Sequence, residues 1–472
     1  MTTTSSGNRG DSPGPPAVDP VLRSPGRPAG VATPSPLKSP AGGPLAALRG
    51  ILARPLASYY LLLATVGLLV LIGLTMVFSA TSLDANGNPY SSVKRQLVSA
   101  GVGLVAFWIC QRLPSQTYRR ISRVALISSF VMITMVDVLG MLSVMQTPEG
   151  MKPKAASIGP ITADQLWLHI GPVQLQPSEL AKLAFALWAA DILARKGPAI
   201  AEWREVAVPL FPVSGLLFLL VGYHDLGTML CLLAMFIGIL WAAGARLRVF
   251  GAMIGVGLAG VMALVFMPGK NVYRMERLAV WLDFLFGDGR ATNSSDEAYQ
   301  AAQGLTALGN GGWFGVGLGE GRQKWGYLPN GHNDFIFAVI AEELGVVGCL
   351  VVLVLFGVLA YTGLRIARRV NDPFQRLVAA AVTTWLISQA MINIGGVTTL
   401  LPITGLPLPF ISDGGSALLV GLAAAGVLTG FARSEPDAAK ALHARPPRKW
   451  VRLLWAPLPP LPAARKGRKP SG

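Results

Sequence analysis

WGYLPNGHNDFIFAVIAEELG, residues 325–345, leads from a polar, turn-forming segment into a long apolar one, with Asp334 at the mouth and Glu342 and Glu343 further along. Ionisable side chains at membrane depth are costly, and where they occur they mark working cavities. On a helix turning about 100° per residue, Ala338, Ala341 and Gly345 fall near the azimuth of Asp334. Such a strip of small residues admits a second helix or a lipid chain beneath the carboxylate. Glu343 projects to nearly the opposite face, and Glu342 lies about 12 Å deeper at about 1.5 Å per residue. Two readings stand for Asp334: an outward-facing acid able to move a proton, or a carboxylate placed at a helix N-terminus by the helix dipole.

The chain around this stretch is 52% hydrophobic and 14% charged, against about 25% charged for soluble domains. Windows of about 20 apolar residues, enough to cross a hydrocarbon core of about 30 Å, begin near Tyr59, Val93, Val124, Leu180, Val206, Leu226, Val249, Phe335, Leu377 and Ser416. The expected fold is an all-α polytopic bundle of about ten transmembrane helices. The net charge of +16 sits where spans end rather than in a nucleic-acid surface. Arg112, Arg119, Arg120 and Arg123, then Arg195, Lys196 and Arg204, then Arg246 and Arg248, then Arg365, Arg368, Arg369 and Arg376 occupy every second loop. Positive-inside sorting then puts both termini in the cytoplasm. Cys110, Cys231 and Cys349 lie within apolar spans and read as packing residues, with no disulfide framework or metal cluster implied.

Three regions follow: a Ser-, Pro- and Gly-rich tail over 1–55, a membrane domain over 56–433, and a basic tail over 434–472. Composition predicts disorder for both tails. The second reads either as a solvated segment or as a docking segment for a cytoplasmic partner or anionic lipid headgroups. Two outer loops are long, 146–178 and 268–333, and loops of that length are usually functional. In the second, Arg274, Arg277, Leu278, Trp281, Leu282 and Leu285 have the spacing of an amphipathic helix suited to an interface. The glycines of AAQGLTALGNGGWFGVGLGEG that follow lack the spacing of a dinucleotide fingerprint and read as tight turns or close backbone approach.

Other ionisable residues carry paired readings. In LHIGPVQLQPSELAKLAFAL, residues 168–187, Glu179 and Lys182 are spaced for an i,i+3 contact; Lys182 either neutralises itself there or faces a cavity and holds an anionic group. Asp225 in HDLGT reads as a helix cap. Arg274, Arg277, Arg322 and Lys324 would hold a pyrophosphate, although Glu276, Asp283, Asp288, Asp296, Glu297 and Glu320 balance that loop's charge. His332 stands two residues before Asp334, either sharing a proton or merely exposed; His169 and His224 have weaker claims. LPITGLPLPFISDGGSALL, residues 401–419, has too many prolines and glycines for one helix and reads as a re-entrant or surface wall of a cavity.

These segments together resemble the SEDS family, the shape, elongation, division and sporulation proteins that polymerise peptidoglycan. QPSELAK (176–182), DLGT (225–228), RMERL (274–278), YLPNGHNDFIFAVIAEELG (327–345) and LPITGLPLPFIS (401–412) arrive in that family's order. The opening over 54–82 and the long tails are similar to the division branch rather than the elongation branch. The resemblance implies a glycosyltransferase acting on lipid II and a lipid-linked glycan strand, with Asp334 as general base and undecaprenyl pyrophosphate as leaving group. It also implies a divalent cation (Mg²⁺ or Mn²⁺), a class B penicillin-binding transpeptidase as partner, divisome proteins and membrane lipids around it, and a place at the septum. It raises Glu179, Lys182, Arg274 and Arg277 as substrate contacts beside Lys324 and His332. A lipid II transporter and a non-catalytic divisome scaffold are the competing readings. The chain departs from the family in TADQLWL, where an Arg-rich segment is usual, in GYHDLGT, and in FISDGG, which sets Asp413 where an aromatic residue is common.

Overall fold

The structure, a computed structural model, describes residues 50, 52–81, 90–146, 156–158, 161–164, 166–170, 173–197, 203–265, 271–287 and 296–461. The readings of the tail over 1–49 and of 462–472 lie outside the described residues. The helices are α1 (Ala57–Thr81), α2 (Tyr90–Cys110), α3 (Ser115–Gln146), α4 (Pro177–Lys196), α5 (Trp203–His224), α6 (Leu226–Ala243), α7 (Leu247–Val265), α8 (Asn271–Phe286), α9 (Asp296–Asn310), α10 (Ile336–Arg369), α11 (Pro373–Val397), α12 (Gly415–Arg433), α13 (Pro436–Ala444) and α14 (Lys449–Leu454).

Among the described residues, seven helices are long and apolar enough to cross a membrane: α1, α2, α3, α6, α10, α11 and α12. Helices also stand at the three other predicted starts, and their sequences explain why they fall short of that measure. α4 carries Glu179, Lys182 and Asp191 within its length. α5 leaves helical geometry at Val208, ahead of Pro209 and Pro212, as a residue before proline is prone to do. α7 offers only a shorter apolar run, Leu247–Gly260. The core is built by α12 against α2, α11 against α6 and α4, α10 against α11 and α1, and α3 against α4.

The long loop over 146–178 holds structure that periodicity did not reveal. Four short strands, β1 (Ala156–Ile158), β2 (Ile161–Asp164), β3 (Trp167–Ile170) and β4 (Val173–Leu175), form an antiparallel meander in the order β1-β2-β3-β4. Ala163 and Leu168 bury against Val136 and Leu139 of α3, so the sheet rests on the end of that helix. The predicted amphipathic helix of the other long loop is present as α8, and α9 follows it.

The eighth apolar stretch is not one continuous helix. α10 is broken at Gly345, whose φ of 66° and ψ of −164° lie outside helical space. The glycine-rich segment is inserted into that break. Val346 N and Val347 N donate to the carbonyls of Gly312 and Trp313, while the freed carbonyls of Glu342 and Glu343 accept from Val316 N and Gly317 N. Four backbone groups thus exchange partners and none is left unsatisfied, the condition for irregular backbone within a membrane protein. Glycine is required here because a Cβ on Gly311 would stand 1.8 Å from the Ala341 carbonyl and one on Gly315 2.1 Å from that of Glu343. The small-residue strip expected to admit a helix or a lipid chain is occupied by this loop.

A second expectation changes at the C-terminal end. Residues 434–461 are folded against the bundle rather than disordered. Arg433 donates to Ala456 O, Arg112 to Leu453 O, the Trp455 indole to the Tyr59 hydroxyl, and His443 Nε2 lies 2.9 Å from Pro459 O.

Candidate active site

The segment over 401–413 is irregular, as its prolines dictate, and is seated by notches and hydrogen bonds. Gly73 of α1 leaves room for Phe410 and Ile411, whose backbone a Cβ there would meet at 2.6–2.7 Å, and Gly227 of α6 leaves room for Thr404 and Leu406. Asp225 caps α6 by accepting from Thr228 N at 2.8 Å and Thr228 Oγ1 at 2.6 Å. The motif DLGT is therefore a cap plus a notch.

Two side chains one helical turn apart on α11 hold the same segment. Gln389 Nε2 donates to Pro407 O at 2.9 Å, and Asn393 Nδ2 donates to Leu406 O and to the backbone O of Asp334, both at 2.7 Å. Gln389 Oε1 in turn accepts from Lys182 Nζ at 2.8 Å and from the Trp385 indole at 2.8 Å. Lys182 also donates to Glu179 at 2.8 Å and lies under the Trp385 ring. Both members of that ion pair are buried to about 1% exposure or less. The expected i,i+3 pair is present, and it does not reach open space: it braces α11, which braces Asp334.

Asp334 sits in the turn before α10, with Gly304 of α9 making room for the neighbouring Phe335 ring. Its Oδ2 is near Gly405, at 3.9 Å from where a Cβ would stand. Oδ1 is buried with no hydrogen-bond partner among the described residues, and such a buried orphan in a native site calls for an explanation. Burial raises the Asp334 pKa from 3.8 to about 6, against the lowering effect of a backbone hydrogen bond and of the Arg277 charge. The acid is thereby tuned toward neutrality, where a general base works best.

Arg277, on α8, donates to Ile403 O at 3.2 Å. Beside it a shallow groove of about 260 Å³ runs between α8, α9 and the irregular segment, lined by Arg277, Trp281, Phe284, Glu297, Leu401 and Ile403 among others. The Trp281 indole N–H, also buried, has no acceptor among the described residues. The charge of Arg277 thus reaches Asp334, while the groove and its spare donor open beside Arg277, and Asp334 is not among the residues that line that groove.

Other predicted residues fall elsewhere. The side chain of Arg274 lies outside what is described. Lys324 is spent on structure: its side chain, 1% exposed, pairs with Glu343 at 2.9 Å and donates to Ser79 Oγ and Gly319 O. Glu343 further accepts from Ser79 Oγ and Gly319 N, and Glu342 from Arg322 N and Gln323 N. Both acids anchor the inserted loop. His332 is half-buried, and its carbonyl accepts from Asp413 N. Asp413 itself pairs with Arg95 of α2 at 2.7 Å, which replaces whatever an aromatic side chain would supply there. His224 pairs with Asp137 at 2.9 Å. Gln389 and Asn393 were not singled out from sequence, and Trp281 was read only as an apolar position of the amphipathic helix. A Gln and an Asn four residues apart in an otherwise apolar helix were the available signal for the first two.

Fold and site define a polytopic helical membrane protein with a tuned carboxylate at the edge of a broken helix. The sequence profile of the FtsW, RodA and SpoVE proteins, described as Cell cycle protein, matches residues 59–436, and the chain belongs to that family. It is 40% identical over 412 residues to the probable peptidoglycan glycosyltransferase FtsW of Mycobacterium tuberculosis, covering 86% of this chain and 74% of that one. It is 35% identical to stage V sporulation protein E of Bacillus subtilis, covering 79% and 96% of the two chains. Among solved structures, a chain from work on structural coordination of polymerization and crosslinking by a peptidoglycan synthase complex superposes with a TM-score of 0.58 at 26% identity, covering 79% of this chain and 97% of that one. The rod shape determining protein RodA of Thermus thermophilus shares the fold, with a TM-score of 0.53 at 23% identity over 79% of this chain and 96% of that one.

Proposed function

We propose that this protein is a division-type peptidoglycan glycosyltransferase that polymerises lipid II at the outer face of the cytoplasmic membrane. One observation carries the mechanism: the buried Oδ1 of Asp334, without a hydrogen-bond partner among the described residues, on a carboxyl whose pKa is raised to about 6. In its ionised form that oxygen takes the proton from the 4-hydroxyl of the GlcNAc of an incoming lipid II. The hydroxyl oxygen forms a bond to the anomeric carbon of the lipid-linked strand, with inversion, as the bond to undecaprenyl pyrophosphate breaks. Arg277 supplies positive charge toward the pyrophosphate, and the Trp281 N–H is a donor for a sugar oxygen in the groove.

No three His, Cys, Asp or Glu side chains stand together among the described residues, so the described part of the chain offers no cage of its own. Were Mg²⁺ or Mn²⁺ carried in with the pyrophosphate, Glu297 at the groove would be the protein carboxylate available to it. When bound, the ion neutralises charge on the leaving group. Ten spans with both termini cytoplasmic, a class B penicillin-binding transpeptidase alongside, divisome proteins around it and a septal location complete the reading. The names of the relatives and the peptidoglycan synthase complex among the structural neighbours support it. Transport of lipid II without chemistry has less to draw on, because Glu179, Lys182, Glu342 and Glu343 are all internally paired.

The test is polymer formation from purified lipid II by the purified chain with its transpeptidase and Mn²⁺ or Mg²⁺. Glycan strands are expected from the wild type and none from Asp334→Ala. Translocation in liposomes with no polymer formed would overturn the reading.

A further inference from the structure

Residues 445–455, RPPRKWVRLLW, place an exposed basic and aromatic face against one end of the bundle. Trp450 is 59% and Leu453 73% exposed, and Arg445, Arg448 and Lys449 are exposed as well. At about 100° per residue, Lys449, Leu453 and Trp450 of α14 share a single exposed face about 100° wide, with the half-buried Arg452 at its edge. Val451, on the other side, is half-buried. Cations interleaved with Trp and Leu on one face are the composition of a helix that lies in a membrane interface.

The position of α14 fits that use. Arg112, just past the end of α2, donates to Leu453 O at 2.6 Å, and its guanidinium lies 4.7 Å from the centre of the Trp108 ring. Trp108 and Ile109 are 38% and 45% exposed at that end of a membrane-length helix. One arginine therefore joins the outward surface of α2 to α14, and the exposed face of α14 begins where that surface ends. The contacts of Trp455 with Tyr59 and of Arg433 with Ala456 fix the segment in place.

We infer that the segment over 445–455 is an interfacial anchor that binds anionic phospholipid headgroups through Arg445, Arg448, Lys449 and Arg452 while Trp450 and Leu453 enter the acyl boundary. Assignment to the cytoplasmic leaflet rests on the topology proposed above; lipid docking itself does not. Docked this way, the segment ties the ends of α1, α2 and α12 to the plane of the bilayer.

The test uses the full chain with Cys110, Cys231 and Cys349 replaced by Ala and an environment-sensitive fluorophore on Leu453→Cys, in nanodiscs. Phosphatidylglycerol discs carrying nitroxide lipids should quench the probe, and pure phosphatidylcholine discs should not. Quenching should be lost near 1 M salt, where the screening length falls to about 3 Å. Neutralisation of the exposed charges in Arg445→Gln/Arg448→Gln/Lys449→Gln should lower the docked-to-undocked ratio on the order of 100-fold, the effect of three basic groups at such a surface. Quenching that is equal in both kinds of disc, absent from both, or produced only by added cytosolic protein would overturn the inference. Both leaflets of a disc have the same lipids, so the result is independent of topology, which protease protection in sealed vesicles reads separately.

Discussion

At the scale of single residues, the site depends on Asn393 and Gln389 as much as on the acid they position. Asn393 fixes the backbone of Asp334 and of Leu406 with one amide group. Asn393→Ala leaves two buried carbonyls without a donor, each costing about 1–3 kcal/mol, and frees the carboxylate from its register. The expected result is a fall in kcat with little change in KM, measured on lipid II polymerisation. Lys182→Met removes one partner of a buried pair and strands Glu179, a loss on the order of 3–5 kcal/mol, to be read as a lower unfolding midpoint in detergent. Asp334 was legible in the sequence because an acid at the start of an apolar run is anomalous. The Glu179–Lys182 contact was legible from spacing alone. Lys324 was not, because a lysine in a polar loop gives no sign that it folds back on an acid nineteen positions along the chain.

At the scale of elements, the break at Gly345 explains the glycines of 311–319. Their left-handed geometry at Gly312, Gly315, Gly317 and Gly319 threads a loop whose backbone replaces one turn of helix hydrogen bonds. Gly315→Ala puts a Cβ into the Glu343 carbonyl at positive φ. Strain of that conformation alone is about 1–3 kcal/mol, and the clash adds to it. Lower thermal stability and loss of polymerisation together are expected, with thermal unfolding of the purified variant as the check. Hydropathy could not reveal the break, because both halves of α10 are apolar and glycine within a helical pattern is common. The meander over 156–175 was hidden for another reason: strands of three or four residues are too short for alternation to register.

At the scale of the whole molecule, hydropathy located a helix at every predicted start. It did not foresee that charges inside the bundle serve as braces. Lys182, Gln389 and Asn393 link α4 through α11 to the backbone of Asp334, so the bundle core helps to hold the turn that carries the acid. The ordered tail escaped a reading from composition because its contacts are backbone carbonyls that accept from Arg112 and Arg433, and an indole N–H that donates to the Tyr59 hydroxyl, all far along the chain.

The claim that Asp334 is the general base is tested most directly by kcat/KM for polymerisation as a function of pH. A carboxyl with its pKa raised to about 6 must be ionised to accept a proton, so the wild-type rate should fall tenfold per pH unit below that value and level off above it. Asp334→Asn should lose about 10²–10⁴-fold in rate, and with it the acid limb. An Asp334→Asn protein that polymerises at the wild-type rate with the same limb near pH 6 would contradict the account.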